Sequence, residues 1–492
     1  MSEKQPLSYR YHRAAVLCAV IVMVVLYALS RAPFLPLGYG LDDDAWFVAR
    51  AADTMANGGG YVASRLPGYP TVVLLFGLLF GLFGTSIVLG NLVAAIAGLA
   101  AAWGVWLILD GEVNLPLRVL ASAAVGFHPA MWQASVTTLD PVFGAAFLIL
   151  AALAVSRRRP LLGGLLLGLA VGCRITNALA AAPLALFANR KFEGWREAAR
   201  VVVAGGVVGG ALFLLPLMTY GLGFMKYEPV IRRDFITGGY KIYSQLVGLP
   251  LVLGLVLTFV TVLAFEERRQ RLPEMAKEPL VLFGFTATVV LATPYVMLPT
   301  DPQYLLPWIP FTVLILAGLV RHKVVKTFWA GALLVAAVIP SFVSFGTLDL
   351  ENWRSRQVLE PVWISRGQMV ENYVDRTTQI ERADSAAKYP FPKDSAVIVG
   401  RPFMATQLAL GAPERMLNDY LYQVPEHDVL LFRLIPPWLF DRVENRTVFY
   451  AEYEHLPYLT RRIFGYELAD VDAQPLQIWL PTTRDDKESR PQ

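Results

Sequence analysis

Long apolar runs separated by short polar segments recur along the first 346 residues of the chain. Several runs approach the roughly 20 residues that cross a bilayer core, so the pattern predicts an α-helical polytopic membrane domain over residues 1–346. We expect about eleven spans plus juxtamembrane helices. The predicted spans are 14–30, 85–109, 118–135, 138–155, 161–173, 178–189, 201–220, 246–265, 279–297, 303–320 and 327–346.

Three of the apolar runs are shorter than an ordinary span. The run 71–83 follows Pro67 and Pro70, so we interpret it as a juxtamembrane or re-entrant helix that does not cross. The runs 161–173 and 178–189 flank Arg174 and predict a hairpin of broken helices.

The pattern changes at residue 347, where charged residues become frequent and short β-patterned runs begin. More polar, helix-compatible stretches such as 366–388 lie between these runs, which are 395–399, 429–434, 448–453 and 477–480. Strands mixed with helices predict a soluble α/β domain over residues 347–492. This segment contains no G-x-G-x-x-G, P-loop, H-E-x-x-H or paired C-x-x-C pattern.

Composition agrees with the membrane interpretation. Hydrophobic residues make up 55% of the 492 residues and charged residues only 17%, a balance that excludes an ordinary soluble enzyme. Cys18 and Cys173 both lie inside apolar runs, so we expect packed thiols rather than a disulfide or a metal site.

Basic clusters set the predicted orientation, because lysine and arginine concentrate in cytoplasmic loops. With the spans above, every cluster faces the cytoplasm: the N-terminal segment 1–13, and 157–159, 190–200, 266–277 and 321–326. The sequence therefore predicts a multi-pass protein of the cell membrane with a cytoplasmic N-terminus. The loop 31–84 and the C-terminal domain are then extracytoplasmic.

The outer loop carries three consecutive aspartates, Asp42, Asp43 and Asp44, ahead of a helical pattern, and Arg65 stands just before the next apolar run. Carboxylates held against a membrane are costly, so their default interpretation is a functional site. The alternative is a solvated acidic turn that caps the following helix. Three carboxylates in a row, followed by a basic residue, favour the site.

Further polar groups fall on the same predicted face, and each has an alternative. Asp140 is either a site carboxylate or the N-cap of the next helix, and both roles can hold. Arg174 is either a ligand-binding cation or a snorkelling side chain. The polar loop around Arg232 and Arg233 favours solvated charges, and the position of His128 before Pro129 favours a helix-end role.

Carboxylates beside clustered positive charge at the rim of a bilayer suit group transfer from a lipid phosphate. Arginine holds a phosphate that is already charged, and an aspartate within hydrogen-bond reach can deprotonate an acceptor hydroxyl.

The order of these motifs resembles the GT-C superfamily of polytopic glycosyltransferases, in particular its branch of protein O-mannosyltransferases and lipid A aminoarabinose transferases. Asp43-Asp44, followed by Phe47, Met55 and Gly58, resembles that branch's D-E motif and its helix. The other matching segments are Leu139-Asp140-Pro141, Gly168 to Arg174, and Tyr304-Leu-Leu-Pro307. Gln303 stands where that last motif usually has arginine.

The resemblance implies an inverting, metal-independent transferase that takes a sugar from a polyprenyl phosphate and gives it to a protein, lipid or glycan acceptor, without nucleic acid. Asp43 would be the base or would orient the acceptor, Asp140 would position acceptor or sugar, and Arg65 and Arg174 would hold the phosphate. Predicted catalytic residues are Asp43, Asp44 and Asp140; predicted substrate-binding residues are Arg65, Tyr69, His128, Arg174, Arg232, Arg233 and Tyr304.

Two alternatives stay open at this point. Three aspartates could bind Mg²⁺ or Mn²⁺. The chain could also be a transporter or flippase of a lipid-linked sugar, which should carry polar groups near the middle of the membrane and often shows an internal repeat. Here the polar groups cluster on one predicted face, and the sequence shows no repeat.

Overall fold

The computed structural model describes residues 7–225, 235–297, 302–348, 361–400, 402–417, 421–424, 428–433, 442, 447–450 and 473–475. Arg232, Arg233 and the predicted strand 477–480 lie outside these residues.

Helices dominate the first part of the chain, as its apolar runs predict. An α-helix pairs its backbone donors and acceptors within one segment, which a lipid environment demands. The helices are α1 (Leu7–Arg31), α2 (Asp43–Ala56), α3 (Pro70–Phe83), α4 (Ile87–Ile108), α5 (Leu115–Phe127), α6 (Pro129–Ala134), α7 (Pro141–Ser156), α8 (Pro160–Cys173), α9 (Ala181–Phe192), α10 (Trp195–Tyr220), α11 (Phe235–Ile242), α12 (Gly248–Ala264), α13 (Glu266–Met275), α14 (Pro279–Met297), α15 (Trp308–Arg321) and α16 (Thr327–Phe342).

Within the described residues, six helical segments are long and apolar enough to cross a membrane, which supports a multi-pass membrane protein. They are Arg13–Phe34, Ile87–Ile108, Trp195–Met225, Gly238–Ala264, Pro279–Val296 and Pro302–Arg321. Shorter apolar helices are Pro70–Phe83, Leu115–Phe127, Pro141–Ser156, Pro160–Cys173 and Thr327–Phe342. The count of about eleven spans and the orientation of the termini stay predictions.

Two predicted boundaries need correction. The expected span 118–135 is wrong as one continuous helix, because α5 ends at Phe127 and α6 begins at Pro129, a residue that cannot continue a helix from the preceding turn. The expected segment 178–189 is a 3-10 helix, Ile175–Ala180, followed by α9. The predicted break at Arg174 is present, since α8 ends at Cys173.

Helix α8, which ends directly before Arg174, packs closely against α10. A Cβ added to Gly164 would lie 2.6 Å from the Val201 carbonyl oxygen, and one added to Gly168 would lie 2.9 Å from that of Gly205. Only glycine allows the two backbones to approach this closely, as small residues do in membrane helix pairs.

The C-terminal part of the chain combines helices and strands. Strand β1 (Val343–Leu348) pairs antiparallel with β2 (Pro361–Arg366), and helix α17 (Gln368–Lys388) follows. The predicted domain boundary at residue 347 therefore falls inside a strand that continues from α16.

A five-stranded mixed sheet makes up the rest of the described C-terminal residues, with strand order β4-β5-β3-β6-β7. Its core strands, β3 (Ser395–Ile398) and β5 (Val429–Phe432), are parallel and buried throughout. The other elements are β4 (Leu421–Val424), antiparallel to β5, β6 (Thr447–Tyr450), β7 (Ala473–Pro475) and helix α18 (Phe403–Ala409). The sequence located β3, β5, β6 and α17. That this part forms a separate soluble domain stays a prediction.

Candidate functional site

Asp140 lies between two arginine side chains at the start of α7. Its Oδ1 accepts a hydrogen bond of 2.6 Å from Arg65 Nη2, and its Oδ2 accepts one of 2.5 Å from Arg174 Nε. The carboxylate is fully buried. Asp140 holds the N-cap position of α7, but its side chain makes no capping hydrogen bond. The side chain of Asp140 therefore contacts the two arginines rather than capping α7, and its role as a site carboxylate stays a prediction.

Arg65 also contacts a second carboxylate, that of Asp44. Its Nη1 lies 2.9 Å from Asp44 Oδ2, and its guanidinium stacks over the Tyr69 ring at 4.2 Å. Burial alone would lower the pKa of Arg65, but Tyr69, Asp140 and Asp44 together raise that pKa well above its ordinary value. Arg65 is therefore a permanent cation.

Arg174 extends the cluster in the other direction. Its guanidinium stacks over the Tyr304 ring at 4.4 Å, and its Nη2 donates to Gln303 Oε1 at 3.4 Å. Gln303 Nε2 donates in turn to Asp42 Oδ2 at 3.4 Å. Asp42 is the N-cap of α2, where its Oδ1 accepts from the Asp44 amide at 3.1 Å.

These contacts form a closed network of hydrogen bonds and ion pairs that begins at Asp44 and ends at Asp42. We call it the charged cluster; its members are Asp42, Asp44, Arg65, Asp140, Arg174 and Gln303. The short bonds converge on buried Asp140, whereas the longer ones reach the more exposed Asp44 and Gln303. An incoming anion could exchange with these outer partners while Asp140 keeps both guanidinium groups in place.

A narrow cleft beside Arg174 has room for about one water molecule. Its lining combines the polar side chains of Thr176, Asn177 and Gln303 with apolar groups such as Leu291 and Pro294. The cleft therefore offers polar and apolar surface side by side.

No family profile matches the chain, and no curated protein matches it. Its fold is similar to that of ArnT from Cupriavidus metallidurans. The crystal structure of that protein in the apo state superposes with a TM-score of 0.51 at 14% identity, covering 82% of this chain and 85% of ArnT. A second crystal structure, of the same ArnT bound to undecaprenyl phosphate, has a TM-score of 0.45 at 15% identity, covering 81% and 85% of the two chains.

Asp43 makes a different contact from its two neighbours. It forms an ion pair with Arg433, which follows strand β5 in the C-terminal part of the chain. The guanidinium of Arg433 also lies 6.0 Å from the Phe47 ring of α2, and Arg50 Nη1 donates to the Leu417 carbonyl at 3.0 Å. C-terminal residues therefore cover one side of α2.

The sequence predicts ten candidate residues, and the structure joins six of them directly. Asp44, Arg65, Tyr69, Asp140 and Arg174 form one set of contacts, and Tyr304 stacks on Arg174 at its edge. Asp43 is held instead by Arg433. The sequence expectation that Asp43 and Asp140 share one pocket stays a prediction.

His128 is engaged by the backbone at the junction of α5 and α6. Its Nε2 donates to the Leu246 carbonyl at 2.7 Å, and its Nδ1 accepts from the Ala130 amide at 3.3 Å. These contacts match the helix-end role that was weighed against substrate binding.

Three residues of this region were absent from the predicted set. Asp42 was part of the acidic run but not chosen, although an aspartate before a helix is a recognisable N-cap signal. Gln303 was noticed only as a departure from a family motif. Arg433 has no local signal, because its partner lies nearly four hundred residues away in the chain.

Among the described residues, no group of three or more His, Cys, Asp or Glu side chains could hold a metal ion. That the protein acts without a metal stays a prediction.

Proposed function

We propose that this protein is an integral-membrane glycosyltransferase. It moves a sugar from a polyprenyl-phosphate donor to an acceptor hydroxyl at the outer membrane face, with inversion at the anomeric carbon. The observation that carries the proposal is the pair of guanidinium groups that buried Asp140 holds at 2.6 and 2.5 Å, beside a cleft in an apolar helical domain.

Two adjacent guanidinium groups suit a phosphate. Each presents a planar fork of donors, and together they can hold a dianion without any proton transfer. Each oxygen of Asp140 accepts a hydrogen bond from an arginine. We therefore assign Asp140 the task of aligning Arg65 and Arg174, rather than the acceptor contact expected from the sequence.

A lipid carrier suits the surroundings of this site. Arg174 lines the cleft together with Leu291 and Pro294, so a charged head group at Arg174 would lie next to an apolar surface. The fold likeness supports the same class, since ArnT is a lipid A aminoarabinose transferase of the GT-C superfamily.

In the proposed reaction the acceptor oxygen attacks the anomeric carbon, and the bond from that carbon to the phosphate oxygen breaks. The electron pair of that bond leaves with the polyprenyl phosphate, whose charge Arg65 and Arg174 stabilise. The acceptor proton passes to Asp43. The leaving phosphate is a stable anion, so most of the barrier is lowered by the base and by charge stabilisation.

Reconstitution in proteoliposomes with a panel of polyprenyl-phosphate sugars tests the proposal. Wild type should transfer sugar to an acceptor and release polyprenyl phosphate. Asp43→Asn keeps the shape of the side chain and should lose roughly 10²–10⁴-fold in rate while donor binding is retained. Asp384→Asn, an exposed aspartate of α17, is the control and should leave the rate unchanged.

Two results would count against this account. Full activity of Asp43→Asn would exclude that residue as the base, and a parallel Asp44→Asn variant would then test its neighbour. Movement of the lipid-linked sugar across the membrane without transfer to any acceptor would favour a transporter.

A further inference from the structure

Arg376 belongs to α17 in the C-terminal part of the chain, yet its guanidinium is buried against loops of the helical domain. Only 1% of the residue is exposed. Its Nε donates to the Leu37 carbonyl at 2.8 Å, its Nη2 to the Gly38 carbonyl at 2.7 Å, and its Nη1 to the Val136 carbonyl at 2.7 Å. One side chain thus joins two segments that are about a hundred residues apart.

The two segments lead directly into the charged cluster. Gly38 lies four residues before Asp42, and Val136 lies four residues before Asp140. A displacement of either segment would therefore move a carboxylate that contacts Arg65, Arg174 or Gln303.

Further hydrogen bonds tie the same segments to each other. The Thr138 amide donates to the Tyr39 carbonyl at 2.9 Å. Asn91 Nδ2 donates to the Gly38 carbonyl at 2.8 Å, and Thr138 Oγ1 donates to Asn91 Oδ1 at 3.0 Å. Arg376 reaches the same segments from α17, so the Gly38 carbonyl accepts hydrogen bonds from both Arg376 and Asn91.

Arginine is well suited to this position. Burial lowers the pKa of Arg376 to about 10, which still leaves the guanidinium charged at neutral pH. Three donors in one planar fork reach three carbonyl oxygens at once. Lysine has a single nitrogen and cannot reproduce that geometry, and glutamine has only two donor hydrogens.

We propose that Arg376 is a positioning residue that fixes the segments 37–42 and 136–140, so that the aspartates of the charged cluster meet Arg65, Arg174 and Gln303. Its effect on catalysis rests on the proposed transferase function. Its effect on the two segments does not, and the experiment separates these claims.

Hydrogen–deuterium exchange of the full-length purified protein measures the positioning directly. In Arg376→Gln the amides of 37–46 and 136–140 should exchange roughly tenfold faster, because charge-assisted hydrogen bonds keep these segments closed. Arg376→Lys should fall between this variant and wild type. Lys388→Gln removes an exposed charge from the same helix and should leave both segments unchanged.

Unchanged exchange in both segments of a folded Arg376→Gln protein would overturn the proposal. Faster exchange confined to α17 and the neighbouring strands would also overturn it, since a role only in folding the C-terminal part predicts that pattern. If Arg376→Gln does not fold, amide exchange in the two segments is compared between Arg376→Lys and Lys388→Gln. Faster exchange in Arg376→Lys alone supports the proposal, and equal exchange overturns it.

Transfer kinetics provide the second readout. Loss of alignment at the acidic loop should lower kcat about tenfold, and loss of alignment at Asp140 should also raise KM for the donor, because Asp140 aligns the two arginines that hold the phosphate. An equal rise in KM with an unchanged kcat would contradict positioning of the acidic loop. If the wild-type protein has no transfer activity, the proposed function is wrong. The exchange experiment still tests the positioning by Arg376.

Discussion

Replacing Asp140 with asparagine removes one negative charge from between two guanidinium groups. The carboxylate is fully buried, and its partners Arg65 and Arg174 are 18% and 8% exposed in their side chains. Asparagine keeps the shape but offers one acceptor oxygen and an amide group that faces a cation. Removing one partner of a buried ion pair costs about 3–5 kcal/mol, because the remaining charge is left without compensation. We expect Asp140→Asn to lose stability in that range.

Asp110→Asn is the matched control, since it makes the same chemical change in an ion pair near the surface. Asp110 lies 2.5 Å from Arg118, but its side chain is 52% exposed. The Arg118 side chain is only 10% exposed, but it keeps its hydrogen bond of 2.9 Å to the Trp106 carbonyl, and water can take the place of the exposed carboxylate, so this variant should lose only about 0–1 kcal/mol. Thermal unfolding of both variants in one detergent should place the apparent Tm of Asp140→Asn several degrees below that of Asp110→Asn.

Addition of a polyprenyl phosphate sharpens the test. The two guanidinium groups of Asp140→Asn lack their shared carboxylate, so a phosphate should raise the apparent Tm of this variant more than that of wild type. Equal Tm values for Asp140→Asn and Asp110→Asn would refute the reasoning, because they would mean that the buried carboxylate does not compensate the arginines.

The remaining predictions concern the lipid phosphate and the orientation in the membrane. Arg174→Lys keeps the charge but not the fork, so it should retain part of both donor binding and transfer rate in the proteoliposome assay; unchanged values would argue against fork recognition. In a Cys18→Ser background, in which Cys173 is buried, a membrane-impermeant thiol reagent applied from outside should label Asp384→Cys but not Arg158→Cys. Outside labelling of position 158 would contradict the predicted topology.

Local signals in the sequence were sufficient for much of the helical domain. Long apolar runs predict helices directly, and the high cost of a charge in apolar surroundings indicates Arg174. Asp140 is indicated by its place on the predicted outer face and by its resemblance to a family motif. The structure joins these two residues by a hydrogen bond of 2.5 Å. The segment predicted over 118–135 is interrupted at His128, because Pro129 cannot continue the helix that ends at Phe127.

Contacts between distant parts of the chain could not be predicted in this way. Arg376 and Arg433 lie in polar surroundings, where an arginine is ordinarily solvated, and nothing nearby in the sequence indicates that they reach the acidic loop. The sequence also could not separate the three aspartates. Their different partners follow from the turn that begins α2, which directs Asp44 toward Arg65 and Asp43 toward Arg433.

The most direct test of the account is a comparison of binding of a polyprenyl phosphate and of the matching polyprenol, which lacks the phosphate. Both lipids share the apolar chain, so any difference in affinity reports recognition of the phosphate. Wild type should bind the phosphate at least about tenfold more tightly, and Arg174→Ala should lose most of that preference while still binding the polyprenol. Equal binding of the two lipids by wild type, or an undiminished preference in Arg174→Ala, would contradict the assignment of this arginine pair to a lipid phosphate.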